Sequence, residues 1–249
     1  MMDHRTAVYI NGLSVNFGGF AAITNLTLEL RYGETRAIIG PNGAGKTTLM
    51  DVITGKTRPT SGEVYLDGKL NLAALGEATI ARCGIGRKFQ KPSVFEALPV
   101  EQNIELAVRN GQGYLAMLAS RLSGRQRHRI DEVLETIGLE SDRNELAGVL
   151  SHGQKQWLEI GMLLAADPKV LLLDEPVAGM TDQETARTVE LLARLRSPDR
   201  AIVVVEHDMA FVDEIADLVS VLHEGQVLRE GSMDTVRNDP RVVQVYLGR

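Results

Sequence analysis

The chain has 249 residues, 44% hydrophobic and 24% charged, a balance that argues against disorder and allows one or two folded domains. Its 27 basic and 33 acidic residues give a formal net charge of −6, so no bulk charge points to nucleic acid. The single cysteine, Cys83, excludes an internal disulfide framework and a cysteine-based zinc site, and fits a reducing cytosol.

The opening Met1-Met2-Asp3-His4-Arg5 has no apolar core of signal-peptide type, so secretion is not expected. Residues 6–28 carry no charge, but Asn11, Ser14, Asn16, Thr24 and Asn25 interrupt them. A spanning helix needs roughly 20 mainly apolar residues, and none is expected here. Residues 7–10, 15–17 and 26–30 read as strands broken by Gly and Asn turns. Residues 36–39 read as a short buried strand, and 61–68 as a strand bracketed by turns. The stretch 100–138 is helical in pattern, with Ile130, Val133, Leu134 and Ile137 at helical spacing. Breaks are expected at Gly111-Gln112-Gly113 and Ser123-Gly124. Then helix and strand alternate: helix 155–166, strand 170–173, helix 184–195, strand 201–205. That alternation predicts a parallel sheet covered by helices.

Between the strand 36–39 and a helical run stands Gly40-Pro41-Asn42-Gly43-Ala44-Gly45-Lys46-Thr47, then Thr48. It satisfies every fixed position of the P-loop pattern. Glycines let the backbone turn its N–H groups onto phosphate oxygens, and the helix N-terminus adds positive potential. Lys46 would reach the β- and γ-phosphates of ATP and the Thr47 hydroxyl would ligate Mg²⁺. The apolar run Val170-Leu171-Leu172-Leu173 ends in Asp174-Glu175. Asp174 is placed beside the metal, and Glu175 would align and deprotonate the attacking water.

With these motifs the sequence resembles the ATP-binding subunits of ABC transporters over almost its whole length. Leu150-Ser151-His152-Gly153-Gln154 is similar to the family's signature, Gln90 to its Q-loop glutamine, and His207 to its switch histidine. Phe17 stands where the family places an aromatic against adenine. The resemblance implies an α/β fold: a P-loop NTPase (RecA-like) core with an N-terminal antiparallel β part and a helical subdomain. One domain, 1–249, is expected, with its core at about 6–90 and 151–249 and the helical subdomain at about 91–150. The implied site has Glu175 and His207 as catalytic groups. Phe17, residues 40–48 and Gln90 are implied to bind ATP, and Thr47, Gln90 and Asp174 to hold Mg²⁺. Ser151, His152, Gly153 and Gln154 are implied to contact ATP held by a partner ATPase, a second copy or a different subunit, in a head-to-tail dimer. Two transmembrane permease subunits would anchor the chain on the cytoplasmic face of the inner membrane, and an external solute-binding protein would act through them. No nucleic-acid partner is implied.

Residues 151–160 and 176–182 look like the ATPase subunits of urea importers. The tail from Asn238 resembles an ending shared by urea and branched-chain amino-acid importers. Urea import is therefore the first expectation, with branched-chain amino acids or a non-transport ABC ATPase as alternatives. Several residues keep two readings. Ser151 suits an N-cap as well as an anion site. Phe17 suits half-buried sheet core as well as adenine. Trp157 reads as packing. The basic run Arg121, Arg125, Arg127, His128 and Arg129 reads as a solvated face, a permease contact or a lipid contact. The sequence departs from the family pattern at His152, where glycine is usual, and at Thr181, where aspartate is usual. Thr181 and Glu184 have capping-box spacing.

Overall fold

Two glycines turn the first hairpin in the computed structural model, which describes residues 5–88, 93–109 and 122–247. Strand β1 (Thr6–Phe17) returns as β2 (Phe20–Arg31) through Gly18 and Gly19, whose φ angles are 52° and 95°. Positive φ at both central residues matches the right-handed twist of the flanking strands. The expected breaks at Asn11-Gly12 and Asn25 are not turns. Gly12 (φ 58°) and Asn25 (φ 48°) lie inside strands where the register slips, between Ile10 and Leu13 and between Leu13 and Val15. A bulge absorbs an extra residue without ending the pairing, so three short predicted strands become two long ones.

The described residues fall into two compact units. The first lies within Met1–Arg87, Lys169–Glu175 and Leu195–Arg249. In it, β1 pairs antiparallel with β2 and with β4 (Ser61–Leu66), and β4 with β5 (Leu70–Asn71). The second sheet runs β10 (Gln226–Gly231), β9 (Leu218–His223), β3 (Thr35–Ile39), β8 (Ala201–Val205), β7 (Val170–Asp174), β6 (Ile85–Lys88). Here β3 pairs parallel with β8 and β9, and β8 with β7. β6 and the antiparallel β10 are its edges. Ile38, Leu172 and Val203 pack into one apolar cluster, while Ala37, Ile39 and Val219 pack into another. Both faces of the sheet are thus covered at its centre, which is why β7 and β8 read as unbroken apolar runs rather than alternation.

The second unit lies within Lys88–Pro168 and Pro176–Arg194. Helices Val100–Val108, Gly124–Ile137 and His152–Ala165 pack on one another. Gly161 makes the approach possible: a Cβ there would lie 2.7 Å from Ile137 Cδ1 and 3.1 Å from Ile104 Cδ1. The Trp157 indole donates to Thr188 Oγ1 at 2.9 Å, joining helix His152–Ala165 to helix Asp182–Leu195. The expected division at residue 150 therefore shifts. The helix after Ser151 buries its apolar face among the helices before it and belongs to this unit. Trp157 is packing, as read.

Part of the basic run is neutralised on helix Gly124–Ile137. Arg129 donates to Leu164 O and lies 3.4 Å from Glu132 and 3.7 Å from Asp167, and His128 lies 3.1 Å from Glu132. Arg125 and Arg127 are exposed, and Arg121 and Gly111-Gln112-Gly113 lie outside the described residues. Among the described residues no helix is long and apolar enough to cross a membrane.

Candidate functional site

The loop after β3 is built by glycines in conformations that other residues resist. Gly40, Gly43 and Gly45 have φ of 152°, 81° and 102°. A Cβ at Gly40 would fall 2.2 Å from Leu222 O, and one at Gly45 2.7 Å from Ala22 O. A Cβ at Gly43 meets nothing within 4 Å, so that face of the loop is open. Helix Lys46–Ile53 begins at once, with Leu49 N donating to Gly45 O at 2.9 Å. Lys46 folds back over the loop, its Nζ donating to Gly40 O at 2.6 Å and Pro41 O at 3.1 Å. Burial lowers the Lys46 pKa, opposed by the negative charges of Glu175 and Asp174. Thr47 is exposed on the first turn.

The parallel register of β7 and β8 sets Asp174 beside Val205. One residue on, Glu175 turns into the left-handed region (φ 47°) while its N–H still donates to Val205 O at 2.9 Å. Such a conformation costs a residue with a side chain on the order of 1–3 kcal/mol, and it concentrates at functional sites. The turn carries the carboxylate out of the strand line to His207, just past β8, with Nε2 3.3 Å from Glu175 Oε1. His207 N donates in turn to Glu206 Oε2 at 2.9 Å. Asp174 is buried and accepts from Arg87 Nη2 at 3.0 Å.

Phe17 closes the glycine hairpin opposite Phe20 and is 50% exposed, outside the buried core of the sheet. Thr24 N donates to Gly225 O and Gly225 N to Ala44 O, at 2.9 and 3.1 Å, so the hairpin is tied to the phosphate loop. Gln90 lies outside the described residues.

In the second unit, Ser151 caps helix His152–Ala165. Its Oγ accepts from Gln154 N at 3.1 Å, and Gln154 Oε1 accepts from Ser151 N at 2.9 Å. Ser151 Oγ also donates to Glu184 Oε1 at 3.0 Å. The other Glu184 oxygen accepts from Thr181 N and Thr181 Oγ1, both at 3.0 Å, and Glu184 N donates to Thr181 Oγ1 at 3.3 Å. The predicted Thr181–Glu184 capping box is therefore present. A Cβ at Gly153 would meet Glu184 Oε1 at 2.5 Å, so Gly153 makes room for that carboxylate. The Thr181 N–H above all, then the Thr181 and Ser151 hydroxyls and the Gly153 N–H, hold the Glu184 carboxyl below its usual range. His152 Nε2 lies 3.1 Å from Ala178 O and 3.2 Å from Gln156 Nε2. The two departures from the family pattern thus share one cluster, linking the signature residues to the loop 176–181.

The structure brings Lys46, Asp174, Glu175 and His207 together in the first unit, and Ser151 to Gln154 together with Glu184 in the second. Sequence reasoning missed Arg87 altogether, and it took Glu184 only as a cap. The donor set suits ATP with magnesium. An exposed threonine hydroxyl and a strand-end carboxylate are hard oxygen donors, and Mg²⁺ typically takes one or two such groups plus substrate phosphates.

Residues 23–178 match the family described as ABC transporter. The chain is 38% identical to the high-affinity branched-chain amino acid transport ATP-binding protein LivG of Salmonella typhimurium, over 96% of each chain. It is 34% identical to the corresponding protein BraF of Pseudomonas aeruginosa, over 98% of each. Among solved structures it superimposes on the ADP conformation of MJ1267, an ATP-binding cassette of an ABC transporter. That match has a TM-score of 0.86 and 28% identity over 98% of this chain and 99% of that one. With the phosphate loop, the strand-end acids and the histidine in place, the chain belongs to the ABC transporter family as one of its ATP-hydrolysing subunits.

Proposed function

We propose that this ATPase powers solute import through partner membrane permeases, with ATP and Mg²⁺ bound at the loop after β3. The observation that carries the reading is the Glu175–His207 contact of 3.3 Å, formed by the ends of two adjacent parallel strands and close enough to Lys46 for its charge to be felt there. In this reading residues 40–48 cradle the phosphates and Lys46 exchanges the Gly40 and Pro41 carbonyls for phosphate oxygens. Phe17 stacks on adenine. Thr47, Asp174 and Gln90 hold magnesium, which when bound neutralises charge on the β- and γ-phosphates. Glu175 takes the proton of the attacking water, and His207 holds the γ-phosphate side of the site. Ser151, His152, Gly153 and Gln154 close on ATP held by a partner ATPase, head to tail. The two units act as one ATPase domain, peripheral on the cytoplasmic face of the membrane and anchored there by two permease subunits. An external solute-binding protein acts through those permeases.

For the solute, the relatives support branched-chain amino acids over urea. The urea reading stands on residues 151–160 and 176–182 alone, and the fold by itself names no solute. The test is uptake by vesicles carrying the chain with its own permeases and binding protein. ATP-dependent uptake of labelled leucine, uncompeted by urea, supports the amino-acid reading. Uptake of urea alone reverses it.

A further inference from the structure

Arg87 is shared between two carboxylates of the first unit, Asp51 and Asp174. Its side chain, 4% exposed, sits next to the end of β6. One Nη donates to Asp174 Oδ2 at 3.0 Å and the other to Asp51. Asp51 stands four residues after Thr47 on helix Lys46–Ile53, so the two share a helix face one turn apart. One rigid guanidinium therefore spans from the strand that carries Asp174 to the helix that carries Thr47.

We propose that Arg87 is a positioning residue for the metal. It sets the spacing between the Thr47 hydroxyl and the Asp174 carboxylate and fixes the carboxylate's rotation by holding Oδ2. The inference rests on the reading that Thr47 and Asp174 hold magnesium. The planar fork suits this role, because an ammonium donates all its N–H groups from one nitrogen, whereas the guanidinium holds two donor nitrogens at a fixed separation, one for each carboxylate. Asp51 keeps a second cation, Lys56 at 3.6 Å, so its charge does not by itself require Arg87. A group that orients a metal ligand from behind typically changes metal affinity by about 10–100-fold when altered.

The test uses Mn²⁺ as the probe, with free Mn²⁺ read by electron paramagnetic resonance in the presence of ADP and the full chain. Arg87→Lys and Asp51→Asn are compared with wild type and with Asp174→Asn. ADP affinity in EDTA and thermal unfolding are measured alongside. The expected result is Mn²⁺ binding weakened about 10-fold or more in Arg87→Lys and in the same direction in Asp51→Asn, with metal-free ADP affinity unchanged. Should Arg87→Lys fail to fold, Asp51→Asn carries the test, because it frees one arm of the guanidinium and leaves the arginine in place. Normal Mn²⁺ binding in these variants beside a weakened Asp174→Asn overturns the inference while sparing the metal site. An equal loss of metal-free ADP binding also overturns it, since that marks general loosening. Normal Mn²⁺ binding in Asp174→Asn removes the magnesium reading itself.

Discussion

Ser151 donates its hydroxyl to Glu184 Oε1 at 3.0 Å, across 33 residues of sequence. The same carboxylate reaches Thr181 through its other oxygen, so one acid ties the start of helix His152–Ala165 to the start of helix Asp182–Leu195. The Ser151 hydroxyl, proposed to meet a partner's phosphate, thus has an anionic acceptor within its own chain. A hydroxyl and a helix N-terminus both favour the negative charge of that carboxylate.

Replacing Glu184 by Ala removes the capping acid and the acceptor of the Ser151 hydroxyl together. Loss of a cap typically costs about 0.5–2 kcal/mol. Thermal unfolding of Glu184→Ala should therefore fall by several degrees. An unchanged unfolding temperature would show that the cluster contributes nothing to folding.

The same group predicts a pH dependence. The folded carboxyl titrates below its ordinary 4.5, so its contribution to stability is complete above that pH. It is lost as pH falls through the lower folded value, where the native state at last takes up the proton. Glu184→Gln lacks this contribution. The gap in unfolding temperature between wild type and Glu184→Gln should be largest above about pH 4.5 and should close on acidification. A gap that widens in acid contradicts the assigned direction.

Much of the first unit was legible in the sequence. Strands 170–173 and 201–205 are found with their ends within a residue, because a strand buried on both faces shows as an apolar run. The phosphate loop announces itself through glycines at positive φ, two of which leave no room for a Cβ. Gly12 and Asn25 misled because a left-handed residue in a bulge and one in a turn are chemically alike. The helix at His152 begins three residues before the expected Lys155, since Gly153 in its first turn resembles a break. Arg87 was invisible because its partners lie 36 and 87 residues away, and neither local spacing nor composition encodes that meeting. Glu184 was half legible: the spacing to Thr181 showed the cap, and the reach to Ser151 had no sequence signal.

The head-to-tail reading of Ser151 is tested by mixing two inactive proteins. Lys46→Ala lacks the phosphate-loop ammonium, and Ser151→Arg lacks the signature hydroxyl. Loss of one such donor is worth roughly 2.7–4 kcal/mol, or about two to three decades in rate. In a mixed dimer one composite site pairs both defects and the other has none. The mixture should recover ATPase activity and form a dimer on adding ATP, followed by light scattering. A mixture with neither activity nor dimer counts against a shared site, and if the natural partner is a different ATPase subunit the mixing is done with it.

The strand-end pair of Glu175 and His207 is proposed to drive ATP hydrolysis. The most direct measurement is the single-turnover hydrolysis rate of Glu175→Gln beside its ATP affinity, in the assembly with permeases. The amide keeps the shape and a contact to His207 but is a far poorer base, so the rate should fall by about 10²–10⁴-fold while ATP still binds. Hydrolysis at a near-normal rate in Glu175→Gln would show that Glu175 is not the general base.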